Sequence, residues 1–201
     1  LLDGSGAGNG VTTGKNLSFV NADVTGRSSG VYGYDIDIKQ AATRSTHTGT
    51  ATLTQQIIDA EEQITITESG RQVNFQTIAG TNIEQTMNQL SNAMKEAGVN
   101  VELVTPKGDA ASRNAPQTLT LRHTKFGSDP FFQVSSNTAG LLSKVANVSE
   151  KVKNGLDIAG EIAKEGAQGR GQVLTGKGGF GSKAEGIAIR YTGENAPPAG
   201  Q

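Results

Sequence analysis

One stretch limits the possible folds more than any other: residues 62–104 read, in order, as strand, turn, strand, helix, strand. Ile64 and Ile66 alternate with polar neighbours at the period of two that turns one strand face inward. Glu68-Ser69-Gly70-Arg71 is turn chemistry, with Gly70 suited to positive φ. Val73, Phe75 and Thr77 alternate with Gln72, Asn74 and Gln76, which predicts a second strand returning as a hairpin. Thr81-Asn82-Ile83-Glu84 reads as a capping box: the Thr81 hydroxyl accepts the N3 amide and Glu84 reaches back to the cap. Ile83, Met87, Leu90, Met94 and Ala97 follow as the single apolar stripe of a helix of about four turns. Lys95 suits the negative end of the helix dipole, and Gly98 suits the position just past the C-cap. Val99, Val101 and Leu103 or Val104 predict a third strand. A helix with one apolar stripe lies across one face of a sheet and leaves its other side wet. The remaining polar positions are Gln, Asn, Thr and Ser, so the unit reads as structural and not catalytic.

Composition extends this reading to the whole chain. Of 201 residues only 34% are apolar and 4% aromatic, while Gly numbers 27. That is little core material for one globule, and it predicts two small β-rich lobes joined by glycine-rich connections. The 18 basic and 19 acidic residues are interspersed, giving a net charge of −1. Such a balance leaves no electrostatic footprint for nucleic acid or for an anionic membrane surface. No apolar run approaches the length of a bilayer span. The absence of cysteine excludes disulfides and thiolate chemistry, and suits a chain exported unfolded. The chain begins Leu1-Leu2-Asp3 without Met, so it is expected to be a fragment or a processed product.

Taken in order, residues 3–14 are glycine-rich loop, and Leu17, Phe19 and Val20 start a short strand. Tyr32, Tyr34, Ile36 and Ile38 alternate with Gly33, Asp35, Asp37 and Lys39 in the cleanest strand pattern of the chain. Ala41-Ala42 either begins a helical turn or continues the strand, the β-branched run beyond predicts extended chain, and 53–60 holds a short helix. Residues 106–116 read as loop. Leu119, Leu121 and His123 predict one strand and Phe131, Phe132 and Val134 another, with 125–130 as a hairpin connection. Residues 137–144 read as a short helical turn. Residues 160–163 and 171–176 are short glycine-bounded strands, and Ile187, Ile189 and Tyr191 form the last strand. The expected fold is α+β and mainly β. A discontinuous β-rich lobe is built from 1–45 and 151–201, and an inserted lobe from 46–150 carries a ββαβ-type unit with one amphipathic helix on a sheet.

No group of reactive side chains converges in the sequence. Asp35 and Asp37 share a strand face and read as a solvated face, not a carboxylate dyad. Glycoside chemistry needs two carboxyl groups about 5–10 Å apart in a cleft. The other near neighbours, Glu61/Glu62 and Glu161/Glu165, have no pocket-forming context. Residues 171–178 (GQVLTGKG) approach a phosphate-binding loop, but Gly178 stands where the metal-binding hydroxyl belongs and no helix follows. His47 and His123 lack a partner motif and read as polar strand termini. Asn16-Leu17-Ser18 and Asn147-Val148-Ser149 match the short glycosylation sequon, which arises readily by chance. No metal or cofactor is implied. The residues singled out are structural: Thr81, Glu84, Ile83, Met87, Leu90, Met94, Gly98, Tyr34, Ile36 and Ile189.

Several stretches resemble bacterial flagellin in its central outer region. Leu1-Leu2-Asp3-Gly4-Ser5 resembles the LLDGS that follows a flagellin hairpin, and 30–42 (GVYGYDIDIKQAA) the strand that opens the variable region. Residues 61–101, with the ITIT hairpin, the T-x-x-E cap and NAMKEAGV, look like the flagellin hook IN motif. Residues 169–193 resemble the G-x-GQ-x-LTG…AEGL-x-x-x-YTG stretch, departing at Phe180-Gly181-Ser182-Lys183. The filament cap family, hook-associated protein 2, shares the IN motif and the GQ-x-LTG stretch and is the alternative. The resemblance implies a structural, extracellular outer domain of the filament subunit, contributing to motility and not enzymatic. The implied partners are other flagellin subunits through terminal helices absent here, an export chaperone and the filament cap for the full-length protein, and surface glycans. In the cap alternative, the role is filament assembly and adhesion.

Overall fold

The computed structural model describes residues 10–23, 29, 33–105, 108–179 and 181–197. The expectations for Leu1–Ser5, for Tyr32 and for the departure at Phe180 lie outside the described residues. In chain order the elements are β1 (Leu17–Asn21), β2 (Ile36–Gln40), β3 (Arg44–Leu53), α1 (Gln55–Asp59), β4 (Gln63–Glu68) and β5 (Arg71–Gln76). There follow α2 (Ile83–Glu96), β6 (Val101–Leu103), α3 (Ala110–Asn114), β7 (Gln117–Phe126), β8 (Gln133–Ser136) and β9 (Glu150–Lys151). The chain closes with β10 (Ala159–Ile162), β11 (Glu165–Arg170), β12 (Val173–Gly176) and β13 (Ala188–Tyr191). The fold is α+β and mainly β, and it divides into two compact units.

The first unit comprises residues 1–43, 126–129 and 155–201. Its sheet has the order β1-β13-β12-β11-β10-β2. Every described pairing in it is antiparallel. β10 and β11 are joined by Ala163 and Lys164, at φ 56° and 63°, the geometry of a two-residue turn that matches strand twist. The core is small: Ile38, Ile158, Ile162, Leu174, Ile187, Ile189 and Tyr191, interleaved with buried Ala41, Ala42 and Ala184. Small side chains suffice because glycines let backbone approach backbone. A Cβ on Gly169 would lie 1.6 Å from the Ile158 carbonyl oxygen, and one on Gly176 would lie 1.8 Å from that of Ala184.

The second unit comprises residues 44–125 and 130–154. It holds two sheets, β3-β7-β6 and β5-β4-β8-β9. One core cluster draws on both sheets and on α2, including Leu53, Ile64, Ile66, Leu90, Met94, Leu119, Leu121 and Phe132. β4 and β5 pair from Gln63↔Gln76 to Glu68↔Arg71 around Ser69 and Gly70, both at positive φ. The strand after α2 pairs with β7 and not with the hairpin. Its apolar residues Val101 and Leu103 still face α2 through the shared core.

Four local expectations change. Residues 106–116 contain α3, started by Asp109, whose carboxylate accepts the Ser112 amide at 2.9 Å. β7 and β8 do not form a hairpin: they belong to different sheets, and the chain between them enters the first unit at 126–129. Residues 137–144 form turns and bends but no helix, because their backbone groups are satisfied elsewhere; Gly140 O accepts the amides of Thr50 and Ala51 on β3. Tyr34 lies before the strand and not within it as the alternation predicts, since β2 begins at Ile36.

Candidate functional site

The residues singled out in the sequence segregate into the two cores. Ile83, Met87, Leu90 and Met94 are buried at 3%, 3%, 1% and 1% exposure on the inner face of α2. The cap lies one residue later than the capping-box pattern places it. Asn82, in extended conformation, accepts the Gln85 amide at 2.8 Å, and Gln85 Oε1 accepts the Asn82 amide at 3.1 Å. Asn is the stronger N-cap residue, and with Gln at N3 it makes the same reciprocal pair. Thr81 is displaced to donating its hydroxyl to Ile78 O at 2.7 Å. Glu84 instead accepts Arg113 Nε at 2.6 Å, tying α2 to α3. At the other end Gly98, at φ 67°, donates to Lys95 O while Val99 donates to Met94 O, the paired bonds of a Schellman motif. In the first unit Ile189 is buried, with Tyr34 and Ile36 packed half-exposed against the same core.

The carboxylates do not converge. Asp35 and Asp37 are exposed on and beside β2. Glu62 is buried and accepts both the amide and hydroxyl of Thr138, at 2.9 and 2.6 Å. Glu161 pairs with Lys39, and Glu165 accepts the Ser182 hydroxyl at 2.6 Å. Among the described residues no group of three His, Cys, Asp or Glu side chains is placed to hold a metal ion. The glycine-rich 171–178 stretch contains β12, a strand paired on both sides with β11 and β13 and not a loop leading into a helix.

Two groupings of polar side chains escaped the sequence reading. In the first unit, Asp157 gathers separate chain segments: its Oδ1 accepts the amides of Ser128 at 3.1 Å and Gly171 at 2.6 Å, and its Oδ2 accepts the Ser128 hydroxyl. Burial pushes its carboxyl up, but the bonds from Ser128 and Gly171, with Arg170 nearby, outweigh this and hold it below the usual range. In the second unit, His123 is almost fully buried within β7 and faces buried Glu68 on β4, Nε2 to Oε1 at 3.5 Å. It is a buried group well inside β7, not the polar strand terminus that the sequence predicts. Burial acts upward on Glu68 too, but the bonds from Ser69 and Asn100, with the His123 ring close by, hold that carboxyl below the usual range.

No family model matches the sequence, and no characterised protein matches it by sequence. Solved structures do. The D2–D3 domains of the flagellar cap protein FliD from Escherichia coli superpose with a TM-score of 0.54 at 13% identity, over 90% of this chain and 90% of that one. Those from Serratia marcescens give 0.53 at 11% identity, over 93% and 97%. A longer D1–D2–D3 structure from Escherichia coli gives 0.54 at 12% identity, and this chain spans 51% of it. The fold is that of flagellar cap D2–D3 domains. These proteins belong to the second of the two families that the sequence resembles, not to the flagellins named first.

One exposed surface also had a readable signal. Thr46, Thr48, Thr50 and Thr52 recur at every second residue and lie exposed on one face of β3. Thr118, Thr120 and Thr124 continue that face on β7, with Thr48 and Thr120 hydroxyls 3.0 Å apart. Arg44 and Arg122 both donate to Glu102 Oε1 there. The period of two was visible, but it ran in threonine and not in an apolar residue. Threonine favours exposed strand faces, so the array is explained by β structure alone.

Proposed function

We propose that this chain is the outer, D2–D3-like region of a flagellar filament cap protein, a structural component displayed outside the cell and not an enzyme. The observation that carries the reading is the length of the structural likeness, 90% of both chains through a discontinuous two-unit topology. Glu62, Asp157, Glu161 and Glu165 fit a structural role, since each is bonded to a neighbour within its own unit. No described helix is long and apolar enough to cross a membrane. The partners that follow are the other components of the filament tip, reached through segments outside these two units. Surface glycans on exposed Ser and Thr fit the same setting. A flagellin outer domain is the second reading, favoured by the LLDGS opening.

The test is a chimaera. This chain replaces the D2–D3 region of the Escherichia coli cap protein in cells lacking that protein, and filament length and swimming are measured. Restored filaments are expected. A chimaera that is exported and stable yet gives no filaments, while the same chain grafted into flagellin is incorporated along the shaft, overturns the cap reading in favour of flagellin.

A further inference from the structure

Glu68 and His123 are buried at 4% and 1% exposure, and they sit on different sheets of the second unit. Among the described ion pairs of that unit, theirs joins the two sheets. His123 Nδ1 accepts the backbone amide of Lys125 at 2.9 Å. The neutral ring therefore carries its proton on Nε2. That Nε2 has no hydrogen-bond partner, because Glu68 Oε1 at 3.5 Å lies beyond good bonding distance.

Few other charges surround the ring; on β3, beside β7, the titratable group at an inner-face position is His47, whose Nε2 is bonded to Leu142 O. From β4 the facing group is Glu68, which is also held by the Ser69 hydroxyl and by the Asn100 amide at 3.2 Å. Val101 is the register partner on β6, and the Phe132 ring lies 6.5 Å away, centroid to centroid. Arg71, opposite Glu68 in the hairpin, spends its guanidinium on Gly98 O. Glu102 and Arg122 alternate to the outer face of the sheet, where they bond each other. Lys125 reaches the ring through its backbone.

We propose that His123 is a proton-operated latch: gaining a proton moves its hold from the Lys125 amide to the Glu68 carboxylate. The second ring proton has to sit on Nδ1, where the Lys125 N–H already points. Two donors then face each other, and that bond is lost. At the same time the Nε2–H beside Glu68 becomes a charge-assisted donor and draws shorter. The Glu68 carboxyl, held below the usual range with burial opposing and the donors prevailing, stays ionised to receive it. Histidine is the side chain whose charge ordinarily changes between about pH 5 and 8. Lys125 is the last residue of this unit before the chain passes to 126–129, so the released backbone is an exit of the chain from the unit. The latch stands or falls independently of any flagellar role.

The test uses the whole chain, labelled with ¹⁵N histidine, followed by NMR from about pH 8 to about pH 5. The ring of His123 is expected to show the Nε2–H tautomer at the upper end and to titrate before the unit unfolds. Over the same range, Lys125 amide exchange, corrected for its intrinsic pH dependence, is expected to quicken by about five- to tenfold, the loss of one ordinary hydrogen bond. His123→Asn retains an acceptor near Nδ1 but takes no proton, so the pH dependence at Lys125 is expected to vanish. In Glu68→Gln the Nε2–H has no carboxylate to draw toward, and the pH dependence at Lys125 is expected to weaken. If either variant fails to fold, the wild-type measurements decide alone. An Nδ1–H tautomer at pH 8, a ring that does not titrate, or Lys125 protection unchanged through the titration overturns the proposal.

Discussion

Gly166 and Gly169 lie on the same strand, β11, and the same substitution is expected to act on them with opposite sign. Both have extended backbone, so neither needs glycine for its dihedral angles. On chain entropy alone, Gly→Ala stabilises by about 0.4–1 kcal/mol at such positions. At Gly166 nothing lies within 4 Å of the added Cβ, so Gly166→Ala keeps that gain. At Gly169 the Cβ would sit 1.6 Å from Ile158 O. Ordinary contact begins near 3.4 Å, so backbone must move by 3.4 − 1.6 = 1.8 Å. The obstacle is a main-chain oxygen whose residue donates its own amide to Gly171 O at 2.9 Å, so it does not swing aside like a side chain. Overpacking of this kind costs about 1–3 kcal/mol and occasionally more, and the upper end is expected here. The assay is urea unfolding followed by circular dichroism, with hydrogen exchange by mass spectrometry assigning the shift to residues 155–197. Equal stability of the two variants would show that β11 and the Ile158 segment are not in contact, and would refute the close-approach account of this core.

Two further perturbations separate the structure from simpler readings. Asn82→Ala removes the N-cap of α2 and should cost about 1 kcal/mol, whereas Asn82→Asp keeps the acceptor, adds a favourable charge at the helix N-terminus and should be near neutral; thermal melts that rank Asp with Ala would return the cap to Thr81. Asp157→Asn should cost the first unit about 1 kcal/mol at pH 7, since bonds to a charged acceptor outweigh those to an amide. The Asp157 carboxyl is held below its ordinary value in the folded state. Its contribution is therefore complete above the unfolded pKa of about 3.9 and is lost as pH falls through the lower folded value. Unfolding midpoints measured from pH 7 down to pH 2.5 should converge for the two proteins, and a constant gap between them contradicts this assignment.

The parts of the fold that could be read in advance are those whose signal is local. The β4–β5 hairpin and the α2 stripe announce themselves by apolar period, because each buries one face against a continuous core. β11 (EGAQGR) carries no apolar signal, since it contributes backbone and close approach instead of side-chain burial. α3 was hidden in a loop-like composition because one aspartate cap and the Glu84–Arg113 tie, not an apolar face, hold it. The pairing of β7 with β3 and β6 was not legible because residues 126–129 leave the unit between β7 and β8, and a short polar link looks the same whether or not the chain changes unit. The Glu68–His123 contact and the Asp157 junction join residues far apart in sequence, and neither residue's neighbours carry a mark of its partner.

These differences bear on why a chain 11–13% identical to its structural neighbours can share their fold. The core of the second unit asks only for apolar side chains at the right period, a demand that many sequences meet. The first unit asks for something narrower. Its strands close on one another at Gly160, Gly169 and Gly176, where a Cβ would lie 2.2, 1.6 and 1.8 Å from a backbone oxygen, so no other residue fits without moving a strand. A sequence adopting this packing is thus free almost everywhere except at a few glycines and the short apolar runs beside them. That is the physical reason the stretch 169–176, poor in core side chains, tolerates less change at its glycines than the better-packed helix, whose residues can be exchanged while its apolar period is kept.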